Sequence, residues 1–405
     1  MRLAVASPFL DRQHGTERCI VEQVERLALK YGWEVHLYSQ SIRQVDCVCY
    51  SGALQQQRDG SIYWHKISSI SGPHLIKYIW WMFANHLRRW FERGLSNVKA
   101  DLTYSPGINC LDADVIVVHI VFHELYSSVS SDLRLRQVPI SSWHLATHRK
   151  LYYQVAMFLE KRVYRNPRIR LVAVSNRVAQ HLKIHFGRTD VAVIPNAVDT
   201  SQFTPEARLE RRDTIRRQFS YSDEDFVLLL IGNDWANKGL DPLLRALDLL
   251  ADLPLRLLVV GEDDPRIHRQ LIARLFSQTK VRFERPATEV LSFYAAADAY
   301  VGPSMEDAFG LPIIEAMSCG LPVIASSHAG ASELLREGET GLILSNPRDA
   351  SEIARLIREI YTDSSLRTRL GRAAAHYVQT SCSWDHNVQK TRQLLEAILQ
   401  DKQSG

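Results

Sequence analysis

The stretch that most limits what this chain can fold into runs from residue 299 to residue 325. Its first apolar run, residues 299–301, predicts a buried parallel strand, and a loop with two acids and a glycine follows. A helix is predicted over residues 311–317, with Pro312 in its first turn, and Gly320 ends it before another apolar run. This order is typical of an open parallel α/β sheet, in which ligands bind at the carboxyl ends of the strands.

The loop and the start of this helix carry groups that suit a nucleotide. Gly310 has no side chain, so the N–H groups of Phe309, Gly310 and Leu311 can approach an anion closely. Glu315 lies about one turn into the predicted helix, where its carboxylate can accept hydrogen bonds from two adjacent sugar hydroxyls. Asp307 by itself is equally well explained as an acid that suits the dipole of a helix N-terminus.

A second loop between a strand and a helix follows the apolar run 226–231. It begins at Gly232 and ends in Lys238 and Gly239, directly before leucines at helical spacing. A lysine at a helix start neutralises diphosphate charge while backbone N–H groups add hydrogen bonds. If this loop stood alone, an exposed lysine in a turn would be the better explanation.

The first half of the chain offers two weaker signals. Gly15 and Thr16 lie between a predicted first strand, residues 2–7, and a predicted helix, where a phosphate can approach the backbone. His119 ends the apolar run that starts at residue 114, which puts it at the carboxyl end of a buried strand. Both positions therefore belong to the edge of the sheet where ligands bind.

Taken together, these motifs resemble glycosyltransferase family four, the retaining group 1 enzymes with the GT-B fold. The family pattern is an acid, seven residues and a glutamate with Phe-Gly between, and Asp307 and Glu315 stand at that spacing. The family usually has glutamate first; here Glu306 precedes Asp307, so either acid is a candidate for that role. Where the family usually has an arginine, this chain has Asn233, so another group must help to stabilise the diphosphate or phosphate binding is weaker.

The resemblance implies an α/β protein of two doubly wound, Rossmann-like domains that face a cleft. An N-terminal acceptor-side domain would cover residues 1–197, and a C-terminal nucleotide-sugar domain would cover residues 198–380. Residues 381–405 would form a helix and tail that cross back to the first domain. A length of 405 residues agrees with two domains, each large enough for its own core.

The resemblance also implies roles for single residues. The expected donor-binding residues are Gly15, Thr16, Asn233, Lys238, Arg282, Phe283, Phe309, Gly310, Leu311 and Glu315. The expected catalytic residues are His119, Lys238, Glu306 and Asp307. Glu315 would bind the ribose, Lys238 the diphosphate, and backbone groups of Arg282 and Phe283 the base, while His119 would lie near the reacting carbon. Transfer on the front face, with the leaving phosphate helping to deprotonate the acceptor, would need no carboxylate base.

The implied reaction moves a sugar from a nucleotide-diphosphate donor, a co-substrate, to a hydroxyl acceptor. The acceptor would be a carbohydrate or lipid-linked, in the synthesis of cell-surface polysaccharide or glycolipid. We expect no cofactor and no metal: the pairs His119/His123 and His144/His148 have the spacing of metal ligands on a helix, but no acid cluster supports a metal there. Two alternatives stay open: a GT-B sugar-nucleotide epimerase or hydrolase, and a non-catalytic polyanion-binding protein. The sequence does not identify the base, the sugar or the acceptor.

Charge is spread unevenly along the chain. The first 200 residues contain 25 Lys and Arg against 16 Asp and Glu, whereas the remainder contains 24 against 29. This asymmetry suggests an anionic partner such as a membrane surface or a phosphate-bearing acceptor, but not nucleic acid. Scattered, solvated charge explains it equally well.

The segment 74–93 mixes apolar and aromatic residues with a cationic end. That composition fits a helix at a membrane interface. It is found more often in a core helix whose tail is solvated. The six cysteines form no zinc or redox pattern, which favours reduced thiols. We therefore expect a cytoplasmic protein, with the inner membrane face as a candidate site for peripheral binding.

Overall fold

The computed structural model describes residues 1–12, 14–46, 48–50, 61–95, 99–129, 143–275, 280–287 and 289–404. The chain divides into two compact units, one of Met1–Ile194 with Asn387–Gly405 and the other of Pro195–His386. Each unit is built on a parallel sheet, with helices in several of the connections between its strands. Among the helices in the described ranges, none combines the length and the apolar character that crossing a bilayer requires.

The described residues of the first unit contain ten strands and five helices that lie wholly within it. The strands are β1 (Arg2–Ala6), β2 (Phe9–Leu10), β3 (Glu34–Ser39), β4 (Ser41–Ile42), β5 (Val48–Tyr50), β6 (Ile62–Lys66), β7 (Leu102–Pro106), β8 (Val115–Val118), β9 (Arg170–Ala173) and β10 (Ala192–Val193). The helices are α1 (Gly15–Tyr31), α2 (His74–Leu95), α3 (Phe122–Val129), α4 (Trp143–Tyr164) and α5 (Asn176–Phe186).

Eight of these strands form one sheet in the order β10-β9-β8-β7-β1-β3-β6-β5, and β2 pairs with β4 separately. All neighbouring pairs are parallel, with Ala4 of β1 opposite His36 of β3, for example. β1 and β8 are buried along nearly their whole length, which explains why they are continuous apolar runs rather than alternating ones. The carboxyl ends of β1 and β8 therefore lie at the same edge of the sheet.

Helix α1 begins at Gly15, so Gly15 and Thr16, which were expected to precede the helix, form its first turn. His14 precedes it in an extended conformation, and Gly32 ends it in the left-handed region at φ 66°. Ile20, Val24 and Leu27 lie on its buried face and anchor it to the sheet. The first turn of α1 is thereby held at the carboxyl end of β1.

In the described residues the second unit contains six strands, and the remaining helices belong to it except for the last one, most of which lies in the first unit. The strands are β11 (Phe226–Ile231), β12 (Leu255–Val260), β13 (Val281–Glu284), β14 (Ala299–Gly302), β15 (Val323–Ser326) and β16 (Leu342–Leu344). The helices are α6 (Pro205–Gln218), α7 (Leu240–Asp248), α8 (Arg269–Leu275), α9 (Leu291–Ala296), α10 (Leu311–Ser318), α11 (Ala350–Thr362), α12 (Ser364–Ser381) and α13 (Trp384–Ser404).

The order of this sheet, β13-β12-β11-β14-β15-β16, reverses direction once. From β11 the chain runs outward through β12 to β13, and it then returns to β14 on the other side of β11 and runs outward again. Leu228 of β11 pairs with Leu257 of β12 on one side and with Ala299 of β14 on the other. The loops after β11 and β14 therefore meet at a topological switch point, the usual ligand position in such sheets.

The last helix returns the chain to the first unit, as predicted. From Asn387 onward, α13 belongs to that unit, where the Asn387 Oδ1 accepts a 2.9 Å hydrogen bond from the Gln23 amide. Farther along, the Arg392 guanidinium lies 4.6 Å above the Tyr31 ring. These contacts anchor the end of the chain to the helix that follows β1.

Candidate functional site

Two loops at the switch point of the second unit bring a cation and an acid together. The Lys238 ammonium, after β11, contacts the Oδ2 of Asp307, after β14. Their side chains are 18% and 16% exposed, so the pair is shielded but within reach of solvent. A shielded ion pair at the carboxyl ends of parallel strands is suited to binding a charged ligand group.

Gly232 leaves the space in which the lysine side chain lies. A Cβ added at Gly232 would be 2.7 Å from Lys238 Cε and 3.3 Å from its Cγ and Cδ, and the backbone there has φ +145°. An L side chain would both strain this backbone and collide with the lysine stem. The glycine at the end of β11 is therefore required by the direction of Lys238.

The two loops are also joined by their backbones. Asn237 takes part twice, because its carbonyl accepts from the Met305 N–H at 2.7 Å and its amide donates to the Glu306 carbonyl at 2.8 Å. At Gly239, with φ +79°, a Cβ would lie 2.0 Å from the Pro303 carbonyl oxygen. This close packing fixes the position of Lys238 relative to the acidic loop.

Asp307 is held through both its backbone and its side chain. Its N–H donates to the His328 carbonyl at 3.1 Å, and its carbonyl accepts from the Gly330 N–H at 3.0 Å. Its Oδ1 accepts from the Phe309 N–H at 3.2 Å while its Oδ2 contacts the lysine. Asp307 thus both braces its loop and orients Lys238, whereas Glu306 receives the Asn237 amide on its backbone carbonyl.

Helix α10 begins at the end of the acidic loop. Gly310 precedes it in the left-handed region at φ +94°, and a Cβ there would lie 3.0 Å from the Ile313 side chain and 3.3 Å from an Asp307 oxygen. Phe309 and Leu311 on either side are buried. Gly310 therefore presents bare backbone beside Asp307, at the start of α10. The N–H groups in the first turn of a helix suit an anion.

Glu315 lies in the second turn of α10 and is almost fully buried, with 3% of its surface exposed. Its Oε2 accepts a 2.6 Å hydrogen bond from the Tyr294 hydroxyl of α9. Burial raises the pKa of Tyr294 well above its usual value, and the neighbouring Glu315 charge raises it further, so the phenol stays a donor. The carboxylate is therefore held in one orientation by a neutral hydroxyl.

Asn233 stands where the family that the sequence resembles usually has an arginine, and its side chain makes a hydrogen bond within the protein. Its Oδ1 accepts from the Glu262 N–H at 2.9 Å, and the next residue, Asp234, donates its N–H to Asp263 Oδ2 at 2.8 Å. These bonds tie the loop after β11 to the loop after β12. Asn233 supplies no positive charge here.

Arg282 and Phe283 lie on β13, the edge strand of the second sheet. The Arg282 guanidinium donates to Glu284 at 2.6 Å and lies 4.7 Å from the centre of the Phe219 ring. The Phe283 ring packs 5.0 Å from Trp235, a buried side chain in the Lys238 loop. The Arg282 side chain is thus engaged within the protein, and the expected reading of a base by backbone groups stays a prediction.

The remaining predicted residues lie in the first unit. Gly15 and Thr16 form the start of α1 after β1, where Gly15 is exposed and Thr16 half-buried. His119 directly follows β8 and is 9% exposed. One strand, β7, separates β1 from β8, so these residues form a second group at one sheet edge.

A buried carboxyl group at the start of α3 was not anticipated. Glu160 of α4 is fully buried and accepts from the N–H groups of Phe122 at 2.6 Å and His123 at 3.1 Å, at the start of α3. Its Oε2 also lies 2.7 Å from the His123 Nδ1. Burial raises the pKa of Glu160 to about 8, although the backbone hydrogen bonds act in the opposite direction. In the sequence it is one acid in an amphipathic helix, and no local pattern marks it.

Two family models match successive segments of the chain. Residues 14–202 match the family described as Glycosyltransferase Family 4, and residues 211–377 match the family described as Glycosyl transferases group 1. The first match contains Gly15, which follows β1, and His119, which follows β8. The second match contains both loops of the switch point.

Curated relatives match over part of their length. Lipopolysaccharide glucosyltransferase WaaG of Escherichia coli (strain K12) is 28% identical over 194 residues, which cover 46% of this chain and 51% of that protein. D-inositol 3-phosphate glycosyltransferase of Pseudarthrobacter chlorophenolicus is 33% identical over 243 residues, which cover 57% of this chain and 56% of that protein. The chain thus spans about half the length of the curated relatives it matches.

Solved structures share the fold over nearly the whole chain. The structure of WaaG has a TM-score of 0.73 at 18% identity and covers 96% of this chain and 98% of that one. Sucrose-phosphate synthase from Thermosynechococcus elongatus has a TM-score of 0.73 at 19% identity, with 99% of each chain covered. Anabaena HepE in complex with UDP-glucose has a TM-score of 0.70 at 19% identity, covering 98% of this chain and 100% of that one. The predicted GT-B class is confirmed. The two family models, which together match residues 14–202 and 211–377, show that the chain belongs to the group 1 glycosyltransferases of family four.

Proposed function

We propose that this protein transfers a sugar, with retention of anomeric configuration, from a nucleotide-diphosphate donor to a hydroxyl acceptor. The observation that carries the proposal is the contact between Lys238 and Asp307 at the switch point, beside the first turn of α10. A cation and helix N–H groups at one sheet edge are complementary to a diphosphate. Family membership supports the reaction class, and HepE, a structural relative, binds UDP-glucose.

The second unit would hold the donor. Lys238 would neutralise the diphosphate, with the amides of Gly310 and Leu311 and the Gly15 region as further donors. Glu315, oriented by Tyr294, would accept from the ribose hydroxyls. Since Asn233 brings no charge, Lys238 would be the main side-chain cation of this loop, and its contribution to the departing diphosphate would be correspondingly large.

Chemistry would depend mostly on orientation and on stabilising the leaving group. The leaving phosphate would help to deprotonate the acceptor on the same face, so that no carboxylate base is needed. His119 is the residue of the first unit that we assign to the sugar, and Asp307 would keep Lys238 aimed at the phosphate. Such positioning lowers the barrier because the reacting groups have already lost their freedom of motion on binding, and because the charges that stabilise the leaving group are already in place. Neither a metal nor another cofactor is part of this proposal.

We assign the acceptor to the carbohydrate or lipid-linked class, in cell-surface polysaccharide or glycolipid synthesis. WaaG, a curated relative, is a glucosyltransferase of lipopolysaccharide. A lipid-linked acceptor would require the protein to work at a membrane, and we accordingly propose a cytoplasmic protein bound peripherally to the inner membrane face.

The test begins with binding and proceeds to turnover. Thermal unfolding with a panel of nucleotide sugars identifies the donor, because a ligand that binds the folded state raises the midpoint. Release of the nucleotide is then measured with and without acceptor extracts. Acceptor-dependent release with a glycosylated product supports transfer. Equal release without acceptor would favour a hydrolase, interconversion of the sugar an epimerase, and no stabilisation by any donor a non-catalytic protein.

A further inference from the structure

Helix α2 has an exposed face that is apolar along its length. Ile76, Ile79, Phe83 and Trp90, at helical spacing, are 52–62% exposed, while Leu75 and Trp81 on the other side are buried. A core helix with a solvated tail, the commoner outcome for such a sequence, would expose polar residues instead. The inward face anchors α2 to its unit, and the outward face has no such role within the fold.

Helix α4 lies beside α2 and extends this surface. The Leu75 N–H is 3.4 Å from the His148 Nε2, and the rings of His74 and Tyr152 are 4.7 Å apart, edge to face. Leu151 and Phe158 of α4 are 48% and 64% exposed. Of the sixteen large apolar side chains that are exposed in the described part of the chain, eight belong to these two helices. We call their joined exposed faces the α2–α4 surface.

The charge of this surface has one sign. Each helix contains a single acid, Glu92 in α2 and Glu160 in α4, and both are buried. The exposed charges are therefore cationic; those of α4 and the start of α2 are Lys77, Arg149, Lys150, Lys161 and Arg162. Farther along α2, Arg88 pairs with Glu92 and Arg93 with Asp112, which reduces the contribution of these two arginines to the positive charge of the surface.

We propose that the α2–α4 surface binds an anionic lipid bilayer. Apolar side chains next to cations match the boundary between acyl chains and phosphate headgroups, and Trp90 is suited to this depth. A second copy of the chain fits less well, because it would bring cations against cations. Bilayer binding does not depend on sugar transfer; only its consequence, the presentation of a lipid-linked acceptor to the first unit, rests on the proposed function.

The first experiment measures binding of the full chain to vesicles, without donor. Vesicles of phosphatidylcholine with phosphatidylglycerol are compared with vesicles of phosphatidylcholine alone. We expect cosedimentation with the anionic vesicles and weakening as salt is raised, because screening shortens the reach of the cations to about 8 Å at physiological ionic strength. The fluorescence of Trp90, obtained as the difference from Trp90→Phe, should shift to the blue on binding.

Matched variants separate the apolar contribution from a general effect of mutation. Ile79→Ser combined with Phe83→Ser should weaken vesicle binding at least about tenfold. The control, Leu249→Ser combined with Ile267→Ser, removes two apolar side chains that are 55% and 74% exposed in the second unit, and it should bind like the wild type. The midpoint of thermal unfolding, and its shift with the donor identified in the nucleotide-sugar panel, should be unchanged in both double variants, which excludes misfolding.

Charge reversal tests the other half of the proposal. Lys77→Glu, Lys150→Glu and Lys161→Glu should each reduce partitioning about fivefold, whereas the exposed Lys390→Glu of α13 should have little effect. Equal binding of neutral and anionic vesicles, or no vesicle binding by a folded protein, would overturn the proposal. So would dimerisation, or capture of an acidic protein, that the apolar variants abolish in the absence of lipid. Loss of transfer with intact vesicle binding would instead count against the proposed function alone.

Discussion

Lys238 contacts Asp307, although 69 positions separate them in the sequence. The contact exists because β11 and β14 are neighbours at the point where the strand order reverses. Gly232 and Asn237 then direct the lysine and join its loop to the acidic one. A cation, a helix start and a buried carboxylate are assembled in this way within one unit.

Replacing Lys238 by alanine should lower the rate of transfer about 100-fold or more. A contact with the leaving group is strongest in the transition state, so kcat should fall more than donor affinity. The exposed Lys390→Ala serves as the control. Steady-state kinetics with the identified donor give the answer, and an unchanged kcat would remove Lys238 from the mechanism.

Asp307 and Glu306 should behave differently when each loses its charge. Asp307→Asn removes the partner of Lys238 and weakens the brace of the loop, so we expect at least about a tenfold loss of kcat/KM. Glu306→Gln keeps the backbone carbonyl that Asn237 binds, and its effect should be smaller. Kinetics of the two variants in parallel decide between them; a larger loss for Glu306→Gln would assign the first acidic role to Glu306.

A methyl group at Gly232 should disturb the lysine without touching the ligand directly. Gly232→Ala combines backbone strain at φ +145° with a clash against Lys238 Cε, so both stability and activity should fall, stability by about 1–3 kcal/mol. Gly72→Ala is a matched control, because Gly72 has φ +140° with open space around it. Chemical denaturation should show a loss in both variants, and donor kinetics a loss in Gly232→Ala only.

Tyr294 should act on donor binding through Glu315. Tyr294→Phe keeps the buried ring and removes the hydroxyl that fixes the carboxylate, so the Kd for the nucleotide of the identified donor should rise several-fold, about as much as one hydrogen bond contributes. Glu315→Ala should weaken binding more, and adding Tyr294→Phe to it should have little further effect on the Kd of that nucleotide. Calorimetric titration of the single and double variants measures this coupling; additive effects would show that Tyr294 supports only the fold.

Glu160 should make the stability of the first unit fall as pH rises. Burial raises its pKa from 4.5 to about 8, so between these values the folded protein holds a proton that the unfolded chain has lost. The free energy of unfolding then decreases by up to about 1.4 kcal/mol per pH unit over this window. Denaturation between pH 5 and pH 8 should show this slope in the wild type and in the exposed control Glu224→Gln. Glu160→Gln should flatten it, and an unchanged slope in that variant would disprove the assignment.

The sequence by itself determined the local units. Apolar runs, the glycines that interrupt them and the spacing of Asp307 and Glu315 predict strands, loops and helix starts, because side-chain periodicity and turn chemistry act over a few residues. The family resemblance added the two-domain GT-B class and the return of the last helix, and both are confirmed. The roles of individual site residues stay predictions.

Only the tertiary structure decided which side chains meet. Three contacts join residues on different elements. Lys238 pairs with Asp307, the Tyr294 hydroxyl donates to Glu315, and the buried Glu160 accepts from the Phe122 N–H. The tertiary structure also decided which apolar residues of α2 are exposed and which are buried. Periodicity could not distinguish these two faces, because both are apolar. Such contacts depend on strand order and helix packing, and these are set by burial over the whole unit rather than by neighbours in the chain.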